Sequence, residues 1–243
     1  MAGGGTRFTS NGYIIPKPLL PINGVPMVVK AVLDLPMARD YIFICLTQHI
    51  EDYQLDRLIQ KHIPLSTFVS IPEVTDGQAR TCLIGLERIN NESELLIAAC
   101  DNGIIYDHAK FEYLKMHYDV IVFSFRNNQT VVDKASQYAW IKPKEESSKI
   151  EYVSVKHPIS DNPIYDHAVV GVFWFRTVGI FKQSANRMIG NNKKINQEFY
   201  VDECVNDAIG LGYRVGYFEV DKYICWGTPN DYKTYSYWQS FFK

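Results

Sequence analysis

The sequence lacks the features that mark several large classes of protein. Lysine and arginine total 25, and aspartate and glutamate total 27, so the formal net charge is −2. A balance so close to neutral does not indicate a dedicated binder of nucleic acid or of a membrane surface. The longest apolar runs, residues 95–100 and 168–175, are far too short to cross a bilayer. Any binding of phosphate must therefore come from a local site.

Metal-binding and export signals are missing as well. The five cysteines are odd in number, and none forms a Cys-x-x-Cys pair or a Cys/His cluster with zinc-ligand spacing. The six histidines are scattered, without an HxH or HxxxH pair. The first residues have no basic segment followed by an apolar stretch, so we expect no signal peptide. We interpret the cysteines as buried free thiols of a cytoplasmic protein.

Short apolar runs alternate with amphipathic segments through the first half of the chain, which indicates a mostly parallel sheet wrapped by helices. The second half is richer in strand-like stretches, and we interpret residues 1–243 as one domain. The predicted strands are residues 41–47, 67–71, 95–100, 119–125, 139–141, 169–176 and 213–220. The predicted helices are residues 27–35, 50–62, 77–88, 108–116, 201–211 and 229–241.

The strongest chemical signal is a glycine-rich start followed by a proline-lysine element. Residues 3–7 read Gly-Gly-Gly-Thr-Arg, and residues 16–21 read Pro-Lys-Pro-Leu-Leu-Pro. Glycine has no Cβ, so its amides can approach phosphate oxygens closely. Arg7 and Lys17 add positive charge that suits a triphosphate and a leaving pyrophosphate. No GKS or GKT closes the loop, so it is not a Walker loop. The alternative is a flexible terminus followed by a proline-rich turn.

The position of this loop in the chain is unusual. A phosphate-binding loop normally follows a central strand, which delivers it to the edge of the sheet where ligands bind. No apolar run precedes Gly3. We expect either that the natural start lies upstream of Met1 or that the fold lacks its first strand.

Together the two elements resemble the signature of the sugar-phosphate nucleotidyltransferases, Gly-x-Gly-Thr-Arg followed by Pro-Lys-x-Leu-Leu-Pro. The family includes glucose-1-phosphate thymidylyltransferases and mannose-1-phosphate guanylyltransferases, and the likeness continues in the same motif order to about Tyr235. It implies a GT-A-like fold, a Rossmann-like three-layer α/β sandwich with a mostly parallel mixed sheet. It also implies Mg²⁺ and direct attack of a substrate phosphate on the α-phosphorus of an NTP.

Two further motifs resemble the part of the family template that contacts the nucleotide. Residues 76–79, Asp-Gly-Gln-Ala, match an element that reads the base; a helix N-cap is the alternative. Asp101 follows an apolar strand at the place of a Mg²⁺-binding aspartate; an Asx-turn is the alternative. The nucleotide contacts that the resemblance implies are Ala2, Gly3, Gly4, Gly5, Thr6, Gly77 and Gln78.

Later segments resemble the part of the template that holds the acceptor. Lys156 corresponds to the lysine of a Glu-Lys-Pro element that holds the substrate phosphate, although Val155 stands in place of the glutamate. Gly171 matches a glycine that lets the sugar ring approach the backbone, with a glycine bulge in a strand as the alternative. Glu198 resembles an acidic residue that bonds sugar hydroxyls, and Tyr200 lies beside it at the start of a predicted helix.

One motif departs from the template at a chemically important position. Residues 225–229, Cys-Trp-Gly-Thr-Pro, match an Asp-x-Gly-Thr-Pro element whose aspartate is a second Mg²⁺ ligand. Cys225 occupies that position, and a thiolate is a poor partner for Mg²⁺. The second carboxylate is absent or comes from elsewhere, Asp221 being one candidate.

The resemblance predicts an enzyme that transfers NMP from an NTP to a sugar 1-phosphate and releases pyrophosphate. Arg7 and Lys17 would hold the triphosphate, and Asp101 the Mg²⁺. Two alternatives stay open. One is a cytidylyltransferase for a non-sugar phosphate such as phosphocholine, and the other is a non-catalytic nucleotide-binding homologue. We expect no nucleic-acid or membrane partner and leave a homo-oligomer open.

Overall fold

Apolar runs of the sequence form strands, and the segments between them form helices, in a computed structural model that describes residues 1–145 and 147–242. The strands are β1 (Pro21–Ile22), β2 (Val25–Pro26), β3 (Tyr41–Leu46), β4 (Ser66–Ile71), β5 (Leu95–Ala98), β6 (Asn102–Ile105), β7 (Val120–Phe125), β8 (Ala139–Pro143), β9 (Ile150–Val155), β10 (His167–Phe175), β11 (Val215–Glu219) and β12 (Lys222–Cys225). The helices are α1 (Thr6–Thr9), α2 (Met27–Leu33), α3 (Thr47–Tyr53), α4 (Leu55–Gln60), α5 (Gln78–Gly85), α6 (His108–His117), α7 (Val178–Gly190), α8 (Val201–Gly210) and α9 (Pro229–Phe241).

The chain divides into two compact units. Unit 1 consists of Met1–Val74, Ala99–Ile104 and Ile224–Lys243, and unit 2 consists of Thr75–Ala98 and Ile105–Tyr223. Each unit has its own apolar core, because side chains far apart in the sequence pack together within it.

Unit 1 is built on the parallel pair β3 and β4, in which Tyr41 lies opposite Ser66 and Leu46 opposite Ile71. Helices α2 and α4 place apolar side chains in a core cluster with these strands. Its buried members are Leu19, Val28, Val29, Phe43, Cys45, Leu55, Ile59 and Ile63. Burial of this many aliphatic and aromatic side chains is the main stabilising term for the unit.

A second core cluster in unit 1 involves the C-terminal helix α9. Thr228 caps the helix by accepting a hydrogen bond from the amide of Asp231 (3.3 Å), and Pro229 occupies the first helical position. Trp226, two residues before the cap, is completely buried. It packs with Phe8, Leu20, Ile22, Met27 and Ala31. The residues after β12 therefore pack against residues from the start of the chain.

Unit 2 contains a mixed sheet with the strand order β11-β7-β10-β8-β9, in which β10 also pairs with β5. Strands β7 and β11 run parallel, whereas β10 runs antiparallel to β5, β7 and β8. Every residue of β7 is buried, as expected of a central strand. Helices α5, α7 and α8 contribute buried side chains to the same core cluster as the sheet.

The α/β class with a mixed sheet is confirmed, and most of the predicted elements lie within two or three residues of the observed ones. The helix predicted over residues 50–62 is wrong in one respect. Gln54 has left-handed dihedral angles (φ 48°, ψ 42°) and separates α3 from α4. Helix α7 was not predicted, although Val178, Phe181, Ala185 and Met188 are buried at helical spacing. No helix in the described part of the chain is long and apolar enough to span a membrane.

His167 is a buried ionisable group at the start of β10. Its Nδ1 lies 3.1 Å from the hydroxyl of Ser124, and its ring lies 4.4 Å from that of Tyr217. Burial lowers the pKa of His167 to about 4, and nearby Arg126 adds to the effect, whereas Glu219 opposes it. The folded protein therefore holds this imidazole neutral where an unfolded chain would bind a proton.

We expect the free energy of unfolding to fall as the pH drops from about 6.5, the usual histidine pKa, towards about 4. In that window the unfolded state binds more protons at residue 167, so lowering the pH favours unfolding, by up to about 3 kcal/mol at the low end. Urea unfolding of wild type and His167→Gln at a series of pH values measures this contribution. Parallel pH profiles for the two proteins would contradict it.

Candidate nucleotide and acceptor sites

The glycine loop of unit 1 is anchored at both ends. Met1 packs on the core cluster of β3 and β4, and Phe8 is buried in the cluster around Trp226. Between them, Ala2 is buried, Gly3, Gly4 and Thr6 are exposed, and Gly5 adopts φ 59° before α1. A Cβ on Gly3 would meet open space, whereas a Cβ on Gly5 would lie 4.0 Å from the Cβ of Lys17. In the described chain no strand precedes Pro21.

Lys17 is held in position by the proline-rich element around it. It begins a 3₁₀ turn, Lys17–Leu19, and the next three residues, Pro18, Leu19 and Leu20, are buried. Its ammonium group forms an ion pair with the carboxylate of Asp101, whose side chain is 26% exposed, against 19% for Lys17. The same nitrogen lies 3.4 Å from the carbonyl oxygen of Gly227.

The electrostatics of Lys17 follow from this arrangement. Burial acts to lower its pKa, but the charge of Asp101, a hydrogen bond to the same carboxylate, and Cys100 and Cys225 nearby outweigh that effect, so the pKa is raised. Lys17 therefore carries its positive charge throughout the neutral range. Its nitrogen also lies 5.6 Å from the centre of the Phe8 ring, a favourable position for a cation.

Arg7 lies on α1, directly after the glycine loop, and is exposed. Its carbonyl oxygen accepts hydrogen bonds from the side chains of Ser10 (3.2 Å) and Asn11 (2.8 Å), which fix the end of this short helix. Arg7, Lys17 and Asp101 thus all belong to unit 1, and the structure brings the last two into direct contact.

Cys225 lies in unit 1 close to the turn that holds Gly227. Its sulfur accepts a hydrogen bond from the amide of Gly227 (3.4 Å) and lies 3.5 Å from a carboxylate oxygen of Asp231. A Cβ built on Gly227 would be 3.3 Å from Asp101 Oδ2 and 3.4 Å from the sulfur of Cys225. Asp101 and Cys225 therefore flank the same glycine.

Asp221, the candidate for the second carboxylate, does not belong to the unit that contains Asp101 and Cys225. Asp221 is exposed and belongs to unit 2, where its amide donates to the carbonyl of Ile105 (2.8 Å). Among the described residues, no group of three or more His, Cys, Asp or Glu side chains is arranged to hold a metal ion.

In unit 2 the segment 76–79 is bonded through its backbone to Phe199. The amide of Phe199 donates to the carbonyl of Asp76 (2.8 Å), and the amide of Ala79 donates to the carbonyl of Phe199 (2.9 Å). Gly77 adopts φ 139°, and a Cβ there would overlap the amide nitrogen of Phe199 and lie 2.5 Å from its carbonyl oxygen. Gly77 is thus required by a close approach of two backbones. Gln78 begins helix α5 immediately afterwards.

Glu198 ends a two-residue turn that leads into this contact. Asn196 (φ 49°) and Gln197 (φ 67°) both have positive φ, as in the tight turns of hairpins. Ile195 and Glu198 exchange both backbone hydrogen bonds across the turn, at 3.0 Å each. Glu198 is exposed, next to the buried Phe199.

Lys156 has a left-handed backbone (φ 66°) at the end of β9, and its ammonium donates to the carbonyl of Gln137. The same nitrogen lies 5.2 Å from the centre of the ring of Tyr200, which precedes helix α8. Sequence reasoning missed Asp202, whose pKa is raised by burial, while the charge of Lys156 opposes the rise. Asp202 is the second residue of α8 and lies next to Glu203 in the first turn, so the sequence gives no signal that sets it apart.

Gly171 lies within β10 with φ 87°, where the pairing of β10 with β7 shifts register between Val169 and Phe173. The glycine bulge given as the alternative for this residue is therefore present. A bulge and a close approach of ligand to the backbone are compatible, because both need the absence of a Cβ.

No protein-family model and no curated protein matches the chain. Solved structures share its fold. Over 97% of both chains, it matches the nucleoside-diphosphate-sugar pyrophosphorylase from Vibrio cholerae RC9 with a TM-score of 0.80 and 19% identity. It matches the inositol-1-phosphate CTP transferase from T. maritima over 97% of this chain and 91% of that one, with a TM-score of 0.72 and 14% identity. For a UDP-glucose pyrophosphorylase complexed with UDP-glucose the TM-score is 0.72, with 20% identity over 100% and 97% of the chains. The chain thus has the fold of the sugar-phosphate nucleotidyltransferases.

Gly77→Ala is expected to lower the free energy of unfolding by at least about 1 kcal/mol, because the added Cβ would overlap the backbone of Phe199 at a φ that favours glycine. Gly3→Ala is the matched control, since its Cβ meets open space, and should change stability by less than about 0.5 kcal/mol. Urea unfolding at neutral pH measures both values. Equal stabilities for the two variants would refute the close approach.

Proposed function

We propose that this protein is a nucleotidyltransferase that joins the NMP of an NTP to a sugar 1-phosphate, giving an NDP-sugar and pyrophosphate. The observation that carries the proposal is the ion pair of Lys17 with Asp101 beside an anchored glycine loop. The fold supports it, because proteins named as a nucleoside-diphosphate-sugar pyrophosphorylase and a UDP-glucose pyrophosphorylase share it.

In this proposal unit 1 binds the triphosphate. The amides of the exposed residues Gly3 and Gly4 and the side chains of Arg7 and Lys17 surround the phosphate oxygens, and Ala2, Gly5 and Thr6 complete the loop. The acceptor phosphate attacks the α-phosphorus, the bond to the β-phosphate oxygen breaks, and pyrophosphate leaves. No protein nucleophile is needed, so the residues act by alignment and by neutralising the charge on the leaving group.

We propose Mg²⁺ as the cofactor, with Asp101 as its protein ligand. Asp101 supplies hard oxygen, but the neighbouring thiol of Cys225 does not suit Mg²⁺. This set of donors fits a metal that takes most of its oxygen ligands from the nucleotide rather than from the protein. When bound, the ion would neutralise charge on the phosphates.

Unit 2 carries the proposed contacts to the base and to the acceptor. The backbone of Gly77 and the side-chain amide of Gln78, which can both donate and accept, suit the edge of a base. Lys156 supplies the positive charge for the acceptor phosphate, and Glu198 the carboxylate for sugar hydroxyls. Gly171 and Tyr200 are proposed to line the acceptor. We propose that residues 1–243 act as one catalytic domain.

A second candidate is a cytidylyltransferase that acts on a non-sugar phosphate. Val155 stands where the template has a glutamate that contacts the sugar, which removes one reason to prefer a sugar acceptor. A protein named as an inositol-1-phosphate CTP transferase shares the fold. A substrate panel that includes CTP with both classes of acceptor separates the two candidates.

Release of pyrophosphate from a panel of NTPs, each with sugar 1-phosphates, inositol 1-phosphate or phosphocholine, is expected for at least one pair. Lys17→Ala should lower the rate at least about 100-fold, because it removes a charge placed where negative charge develops. Lys61→Ala, at an exposed lysine of the same unit, is the matched control and should keep full activity. The proposal would be rejected if folded protein released no pyrophosphate with any pair of the panel. It would also be rejected if the Lys17→Ala protein kept its activity.

Cys225→Asp should lower the Mg²⁺ concentration that gives the half-maximal rate, by about 10-fold, because it adds a hard oxygen ligand beside Asp101. Cys225→Ser is the control, since it alters the thiol without adding charge. Mg²⁺ titrations of rate, and calorimetry of Mg²⁺ binding with nucleotide present, measure the effect. An unchanged requirement in Cys225→Asp would show that residue 225 does not face the metal.

A further inference from the structure

The hairpin that contains Glu198 contacts the segment that contains Gln78 at both of its ends. At the first end, the ammonium of Lys194 lies 3.0 Å from the carboxylate of Asp76. At the second end, the amide of Phe199 donates to the carbonyl of Asp76 (2.8 Å), and the carbonyl of Phe199 accepts from the amide of Ala79 (2.9 Å). The hairpin itself is short and closed by its own turn. It therefore has little freedom to move separately from residues 76–79.

Two cations share the carboxylate of Asp76. Arg80 lies 2.5 Å from one of its oxygens, and Lys194 bonds the other. Both cations also lie over the ring of Phe199, the ammonium of Lys194 at 4.9 Å from its centre and the guanidinium of Arg80 at 5.4 Å. Phe199 is 2% exposed, so the ring is a fixed surface against which both side chains are positioned.

These contacts form a network rather than a set of isolated surface ion pairs. Each pair alone is partly exposed and screened by solvent, and such isolated pairs contribute little. Here one carboxylate, two cations and one ring form a network, and the network spans residues that are more than a hundred positions apart. Substitutions of groups that share partners in this way have non-additive effects on stability.

We propose that Lys194 and Arg80 are positioning residues that join the nucleotide-contacting segment 76–79 and the acceptor-contacting hairpin 194–199 into one cooperative body. The assignment of ligands to the two segments rests on the proposed function. Binding of a nucleotide to the first segment then orders the second, and binding of the two substrates is coupled. By linkage, the acceptor strengthens nucleotide binding by the same factor.

Amide hydrogen exchange of the ligand-free protein tests the cooperative body without any substrate. Lys194→Met should speed exchange at the amides of both Ala79 and Phe199 by a similar factor of about five, the low end of usual coupling between sites. Lys194→Arg keeps the charge and should stay at the wild-type rate. Asp76→Asn keeps the backbone bonds and should behave as Lys194→Met does, which guards against a single variant that folds poorly.

Lys115→Met is the matched control, because Lys115 also pairs with a carboxylate (Glu94, 2.6 Å) and also lies over an aromatic ring (Trp174, 5.5 Å). It should leave both amides unchanged. Faster exchange at Phe199 with an unchanged rate at Ala79 would overturn the proposal, since the two segments would then open separately.

Addition of UTP with Mg²⁺ tests whether nucleotide binding at residues 76–79 also orders the hairpin. Residues 76–79 and 195–199 should both gain protection in the wild-type and Lys194→Arg proteins, whereas in Lys194→Met the gain should be confined to 76–79. Equal protection of the hairpin in Lys194→Met would overturn the coupling. Protection at neither segment, with every nucleotide of the panel, would contradict the proposed function, and exchange in the ligand-free protein would still decide whether the two segments form one body.

Discussion

The ion pair between Lys17 and Asp101 is the interaction on which the proposed chemistry of unit 1 depends. The two residues are 84 positions apart, and neither is fully exposed. A partly buried charge is costly without a partner, so each side chain makes the position of the other favourable. The bond of Lys17 to the carbonyl of Gly227 brings in a third segment. A positive charge is thereby held close to the glycine loop by the fold itself rather than by a ligand.

The glycines of the chain serve different purposes, although the sequence presents them alike. Gly77 is needed because two backbones meet there, and Gly5 because the chain turns with positive φ before α1. Gly3 meets neither constraint, since a Cβ on it would contact nothing. Its absent side chain therefore has no explanation in packing, and it leaves the amide accessible. A residue whose type is unexplained by the fold is the better candidate for contact with a ligand.

Sequence reasoning proposed roles for residues that lie in short recognisable motifs, and it missed residues whose importance depends on contacts between distant segments. Lys17 and Asp101 could be predicted because each lies in a short motif whose chemistry is recognisable. The bonding of Phe199 to Asp76 and Ala79 could not, because it uses backbone groups, which every residue has. The break at Gln54 was missed for a related reason: the apolar pattern continues from α3 into α4, while a polar residue takes the left-handed conformation between them. For the same reason, Asp202 appeared in the sequence as one acidic residue among several near a helix start.

The motif of residues 225–229 keeps the residues that serve packing, while Cys225 replaces the residue that serves metal binding in the family template. Thr228 still caps α9, Pro229 still begins it, and Trp226 is still completely buried, so the packing role of residues 225–229 is intact. The residue that departs from the template is Cys225, whose side chain flanks Gly227 together with Asp101 and is not part of the buried core. In the proposed function, a change there alters the set of ligands offered to a metal without disturbing the fold. For this reason a similarity of fold at 14–20% identity cannot by itself decide how a metal is held. The side chains around Asp101 must decide it, and in the function proposed above they would leave most of the coordination to the phosphates of the nucleotide.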